Sequence, residues 1–120
     1  METTIYDRRG KPRAYLAPNE ANSFYTWRGK AVAYLEGEII YGWRGKHIGW
    51  FVNEIIYDLK GKRVGYTKAT CPVVTYVEPV KYVKTVQYVR YVQYVPYIRP
   101  VLGHSASELD LIDFLTQNQI

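Results

Sequence analysis

The 120-residue chain is poor in the residues on which catalysis and covalent cross-linking usually depend: it has one cysteine, one methionine and two histidines. A lone Cys71 excludes an intramolecular disulfide and a cysteine-based metal site. Any Ser/His/Asp or Cys/His constellation would have to use His47 or His104. His47 occupies a variable motif position and His104 a loop, so no catalytic residue, metal ligand or cofactor is assigned and the protein is read as a non-enzyme. No stretch reaches the 18 or so apolar residues of a membrane-spanning helix, so no membrane partner is expected. No charged-then-apolar leader follows Met1, which makes the cytoplasm the expected compartment.

What the chain has is repetition. Residues 5 to 16 read IYDRRGKPRAYL, 24 to 35 FYTWRGKAVAYL, 40 to 51 IYGWRGKHIGWF and 56 to 67 IYDLKGKRVGYT. A unit of twelve residues cannot bury an apolar face alone, so four copies must stack or close into a ring. Each copy predicts a β-hairpin. In Asp7-Arg8-Arg9-Gly10 and Asp58-Leu59-Lys60-Gly61 an Asp opens a type I turn and a Gly takes the positive φ that follows it. Aromatic and β-branched residues flank every turn, as strands prefer. The links are short, with Gly37 and Asn53 placed for tight reverse turns, and predict an antiparallel meander; the longer first link, Ala17 to Ser23, is the candidate seam.

The tenth motif position is always small (Ala14, Ala33, Gly49, Gly65) and the eleventh always a large aromatic (Tyr15, Tyr34, Trp50, Tyr66). Neighbours on a strand face opposite sides, so one face of the sheet carries the small residues and the other the rings. The small residues fit either close backbone approach around a central axis or room for large cross-strand neighbours. The fold class is therefore all-β: four pseudo-symmetric hairpins in a compact meander ring or barrel over residues 1–70.

Four copies of (I/F)-Y-x-x-(R/K)-G-K-x-x-(A/G)-(Y/W), then a biased linker and a short Ser-containing, acidic and aromatic end, resemble the four-fold β-flower proteins, short bacterial proteins of four β-hairpins. The resemblance covers residues 5 to 67 and, more loosely, 104 to 115. It implies pseudo-four-fold symmetry and carries no assigned activity. Relatives tend to be Pro-rich in the linker, where this chain has a Val/Tyr pattern.

That linker, residues 71–103, is a second repeat with a period of three. Val77 to Val95, Ile98 and Val101 recur at every third position, and tyrosines precede many of them. Polyproline II, with three residues per turn, puts all the valines on one stripe; an irregular or β-paired arm is the alternative. At about 3.1 Å per residue the segment is too long to lie straight across a 70-residue body, so it must bend, wrap or run along other subunits. An aliphatic stripe of this length predicts a homo-oligomer, with Val83, Val86, Tyr88, Val89, Tyr91 and Val92 as its assembly residues. Residues 104–120 predict a short acidic helix, capped by Ser105 or Ser107 and docked through Leu109, Ile112 and Leu115.

The net charge of +5 is uneven: residues 1–70 carry twelve Lys/Arg against seven Asp/Glu, and residues 104–120 none against three. Pseudo-symmetry would gather the Arg/Lys-Gly-Lys turns into one rim. The ligand-binding candidates are Arg28, Lys30, Arg44, Lys46 and Lys62, with Trp27 and Trp43 to stack on bases, and the ligand class is an acidic peptide or nucleic acid. Two functions follow: a non-enzymatic binding or assembly module that self-associates through the arm, or an anion binder acting through the turns.

Overall fold

The computed structural model describes residues 1–120. Eight strands, β1 (Thr3–Tyr6), β2 (Pro12–Ala17), β3 (Ser23–Thr26), β4 (Ala31–Glu36), β5 (Ile39–Gly42), β6 (His47–Val52), β7 (Ile55–Asp58) and β8 (Arg63–Tyr66), close in sequence order into an antiparallel barrel, and one helix, α1 (Leu111–Thr116), follows. Each motif copy is one hairpin. Gly10, Gly29, Gly45 and Gly61 adopt φ of 79–91°, and the amide of each donates to the main-chain oxygen three residues back at 2.9–3.0 Å. Behind every turn the register slips by one residue, leaving Arg13, Val32, Ile48 and Val64 as the bulged positions.

The barrel ends are unlike. The four hairpin turns gather at one end and the three links at the other, as a closed meander requires. Gly37, Asn53 and Glu54 have positive φ in the links, in keeping with their tight geometry. The first link is not the seam: β2 and β3 pair over four residues, from Ala14↔Thr26 to Ala17↔Ser23. The seam is β1 against β8, joined only at Tyr6↔Tyr66. Closure of the ring at its last joint rests on whatever crosses there, and that is the later part of the chain.

The barrel interior shows why the tenth motif position is small. Ile5, Phe24, Ile40 and Ile56, the first residue of each copy, are fully buried in one layer. Helix α1 plugs the turn end above them with Leu111, Phe114 and Leu115, each at most 1% exposed. A Cβ on Gly49 would meet the Phe114 ring at 2.5 Å, and one on Gly65 would meet Leu111 Cδ1 at 2.9 Å. Neighbouring strands need the space as well, since a Cβ on Gly49 would also meet Tyr57 O and one on Gly65 the Ile5 and Ile56 side chains; both sequence-based explanations hold in part, and the plug is the element they lack. Burial of the three apolar side chains is worth roughly 1.5–3 kcal/mol each.

The helix starts later than the capping-box spacing predicts. Its N-cap is Asp110, whose Oδ2 accepts from the amides of Ile112 (3.0 Å) and Asp113 (3.3 Å). Ser105 and Ser107 are spent elsewhere: Ser105 O and Ser107 N pair with Arg63 as a short parallel bridge, and Ser107 Oγ donates to Asp58 Oδ2 at 2.7 Å. Leu109 is half-exposed, and Phe114 takes the buried place expected of it. A backbone already paired with a strand cannot also begin a helix.

Residues 71–103 wrap the outside of the barrel. The amides of Tyr76, Thr85, Tyr94 and Gly103 donate to the carbonyl oxygens of Gly10, Gly29, Gly45 and Gly61 at 2.9–3.0 Å. Those donors are nine residues apart, so the triplets are grouped into one nine-residue unit per hairpin. The reason is geometric. The protein measures 36 × 36 × 22 Å, and pseudo-four-fold symmetry sets the unique short dimension along the barrel axis. A quarter of the circumference of a 36 Å disc is about 28 Å, the length of nine polyproline II residues at about 3.1 Å each. The spacing of the arm matches the spacing of the hairpins it crosses.

Candidate functional site

The arm has three faces with different surroundings. Over the middle of the arm every third residue, Lys81, Lys84, Gln87 and Arg90, turns inward to the outer aromatics of the barrel. Lys81 Nζ lies 4.6 Å from the Tyr15 ring centroid and 5.3 Å from that of Trp27, and the Arg90 guanidinium lies 4.1 Å from Tyr34 and 5.6 Å from Trp43. Tyr15 stacks on Tyr25 and Tyr34 on Tyr41, with centroids 5.5 Å apart in both pairs. Each joint between successive hairpins here is an aromatic box closed by a cation from the arm. Gln87 extends the lining by donating to Tyr25 Oη at 2.7 Å. Burial pushes the Tyr15, Tyr34 and Tyr41 phenols up, so they stay protonated beneath the arm.

The second face, the tyrosines, lies along the barrel and is half-exposed; Arg28 stacks over Tyr82 and Arg44 over Tyr91. The third face is open to solvent. Val74, Val77, Val80, Val83, Val86, Val89, Val92, Val95, Ile98 and Val101 are 87–96% exposed. Ten aliphatic side chains thus form one belt around three-quarters of the molecule, Val83, Val86, Val89 and Val92 among them. Tyr88 and Tyr91 stand beside these on the half-exposed face.

The dibasic turns do come together at the turn end, around α1, but not as four equal sites. In hairpins one and four Asp7 Oδ1 and Asp58 Oδ1 accept from Lys11 N and Lys62 N at 3.0 and 2.9 Å. Hairpin three has Gly42 in place of that Asp, and the tail supplies the missing acceptor: Asn118 Oδ1 takes Lys46 N at 3.1 Å. A Cβ at position 42 would collide with Asn118. The tail also occupies Lys30, whose Nζ donates to Ile120 O at 2.6 Å, and Arg44, whose Nε donates to Gln119 O at 2.9 Å. Lys62 is exposed, with no ion pair. Arg13 breaks the symmetry again, standing where the other hairpins bury an aliphatic residue and pairing with Asp7 and with the helix cap Asp110, both at 3.3 Å.

The two tryptophans are placed otherwise than base-stacking residues need. Trp43 is 1% exposed; Tyr34 and Arg90 cover its ring, and its Nε1 donates to Tyr88 O at 2.9 Å. Trp27 is half-buried beneath Lys81, with Nε1 donating to Pro79 O at 3.3 Å. Both fasten the arm.

Sequence reasoning missed the role of His47. The ring is buried; Nε2 donates to Gly49 O at 3.0 Å, and Nδ1 accepts from Tyr97 N at 2.9 Å. This requires the neutral imidazole, and burial among Tyr41, Trp50 and Tyr97 holds its pKa below the ordinary value. Its signal in the sequence was faint: it sits at motif position eight, where the other copies have Pro12, Ala31 and Arg63.

A closed barrel of four hairpins, plugged by a helix and belted by its own chain, defines a small symmetric scaffold. The family model described as 4-fold beta flower protein matches residues 3–115. The chain belongs to that family. No curated protein and no solved structure matches it. No helix is long and apolar enough to cross a membrane, and no group of three or more His, Cys, Asp or Glu is placed to hold a metal ion.

Proposed function

We propose that this protein is a non-enzymatic assembly module whose copies associate through the aliphatic belt. One observation carries the reading: ten Val/Ile side chains, each at least 87% exposed, lie in a continuous row on a chain that could have turned them inward. The arm instead spends its inward positions on Lys81, Lys84, Gln87 and Arg90, which fit the aromatic boxes. Exposed apolar rows of this extent mark interaction surfaces. Covering half the belt would be worth roughly 1.5 kcal/mol or more for each of about five side chains, enough to offset the cost of association.

The occupant is a protein chain and not lipid. In the arm, the amides bonded to the barrel, Tyr76, Tyr82, Thr85, Tyr91, Tyr94, Tyr97 and Gly103, all fall in one register of the triplet. Between Val73 and Leu102 the amides of the other two registers have no main-chain or side-chain acceptor within the protein. Hydrocarbon leaves such groups unsatisfied at a cost of several kcal/mol each, whereas another polypeptide or the water at its rim can pair them. A second copy offers the same row of valines, with arm carbonyl groups that can accept from these amides.

Light scattering across concentrations tests this. The full chain is expected to exceed the 14.0 kDa of one copy, and the variant Val83→Ser/Val86→Ser/Val89→Ser/Val92→Ser to return to it with an unchanged melting curve, since these side chains are 87–93% exposed. A full-length chain that stays monomeric at high micromolar concentration overturns the reading.

A further inference from the structure

All the net positive charge of the chain lies at the turn end. The four turns with their flanking residues and residues 104–120 hold eleven Lys/Arg and five Asp/Glu; the rest of the chain holds five and six. Of the five carboxylates at this end three are committed, and Glu108 and Asp113 have no ion pair. Asp7 and Asp58 cap their own turns, and Asp110 caps α1 and pairs with Arg13. On the side of hairpins two and three, the chain's own tail takes part of the cationic surface through Lys30 and Arg44. On the side of hairpins four and one the tail holds Arg63, Asp58 and Arg13 but leaves the tip cations without partners. There a cleft of about 270 Å³ between turns and tail is lined by Arg8, Arg9, Lys11, Arg13 and Arg63 together with Asp7, Glu108 and Asp110, and Lys60 and Lys62 line the adjoining cleft of about 260 Å³ with Asp58 and Glu108; cations outnumber carboxylates in the two clefts taken together.

We propose that this open cationic sector binds double-stranded nucleic acid through its phosphate backbone, without reading bases. Three features select that ligand. The cations are spread along one side of a face 36 Å across rather than focused in one pocket, which suits a linear array of charge. Among linear polyanions a duplex has about one charge per 1.7 Å of axis, and its counterions are released on binding. Arg guanidinium groups match phosphate oxygens with a planar fork. Bases are not read, because Trp27 and Trp43, the rings that could stack on them, are engaged by the arm. The main-chain oxygens of Gln119 and Ile120 on Arg44 and Lys30 already show these turns receiving oxygen acceptors.

Fluorescence anisotropy with a labelled 20-base-pair duplex of random sequence, the same strand unpaired, and poly-glutamate of equal charge decides the matter. With about five phosphate contacts, affinity for the duplex is expected to fall roughly 500-fold between 50 and 200 mM salt. Arg9→Glu/Lys11→Glu/Lys60→Glu/Lys62→Glu is expected to weaken duplex binding at least tenfold and flatten that salt dependence. Its circular dichroism spectrum should be unchanged; the corresponding four-Gln variant provides the same test should charge reversal disturb folding. Lys68→Glu, at the opposite end, and the four-Ser belt variant are expected to bind as the parent does, which separates this site from assembly. No duplex binding at low salt, tighter binding of the single strand or of poly-glutamate, or indifference to removal of the four charges overturns the proposal.

Discussion

Replacing Gly45 by alanine tests the fit between hairpin turn and arm most directly. Gly45 has φ of 91°, and a Cβ built there overlaps Val92 O, the arm carbonyl that lies on the turn. Gly37, in a link, has φ of 62° with nothing near its missing Cβ. Both substitutions incur the left-handed backbone penalty, about 1 kcal/mol. Only Gly45→Ala must also push the arm away, and two hydrogen bonds go with it: Tyr91 N to Trp43 O and Tyr94 N to Gly45 O, both 2.9 Å. At about 0.5–1.5 kcal/mol each, they bring the expected loss to about 2–4 kcal/mol, against about 1 for Gly37→Ala. In a domain of this size that separates the two melting temperatures by several degrees, readable by circular dichroism. Native-state hydrogen exchange gives the second readout. The Tyr91 and Tyr94 amides should lose protection in Gly45→Ala while amides of the barrel strands keep theirs. Equal melting temperatures for the two variants, or unchanged protection at Tyr91 and Tyr94, would refute the idea that these glycines are required by the arm as well as by the turn.

Three further outcomes are expected. His47 has a folded-state pKa held below its unfolded value of about 6.5, so it contributes stability that is full above that pH and is lost as pH falls toward the lowered value; urea midpoints between pH 7.5 and 5 should decline in the parent and decline less in His47→Gln. Phe114→Ala removes the ring that fills the space over Gly49 and should cost about 3–5 kcal/mol, with little change expected for the exposed Asp113→Ala; comparable urea midpoints for the two would contradict the plug. Deleting residues 71–120 uncovers Tyr15, Tyr25, Tyr34 and Tyr41 outside the barrel and the apolar layer inside it, so the remaining hairpins should bind a hydrophobic dye and melt without cooperativity; a sharp transition without dye binding would show that the hairpins stand alone.

The twelve-residue repeat alone determined the hairpins, because turn chemistry is local: Asp7, Asp58 and the four glycines act on amides within three or four residues of themselves. The triplet period likewise pointed to an arm with one aliphatic stripe, since three residues per turn align every third side chain, and the valines do lie together on the exposed side. What that stripe faces was not local information. The barrel's outer aromatics decided it, by offering boxes that suit Lys81, Lys84 and Arg90 and leaving the valines outside. The purpose of Gly49 and Gly65 was legible only in part: crowding by neighbouring strands follows from the repeat, but the helix that shares the space they leave is 46 or more residues away. Tertiary structure also broke the symmetry that the repeat promised. Gly42 and Arg13 are departures from the motif, and each is completed by a tail residue, Asn118 or Asp110, that no spacing within the repeat could identify. A repeat specifies equal sites; a single tail crossing their common end meets each hairpin differently, taking Lys30 and Arg44 in hairpins two and three but Arg13, Asp58 and Arg63 in hairpins one and four, and that leaves the tip cations Arg8, Arg9, Lys11, Lys60 and Lys62 as the exposed basic surface.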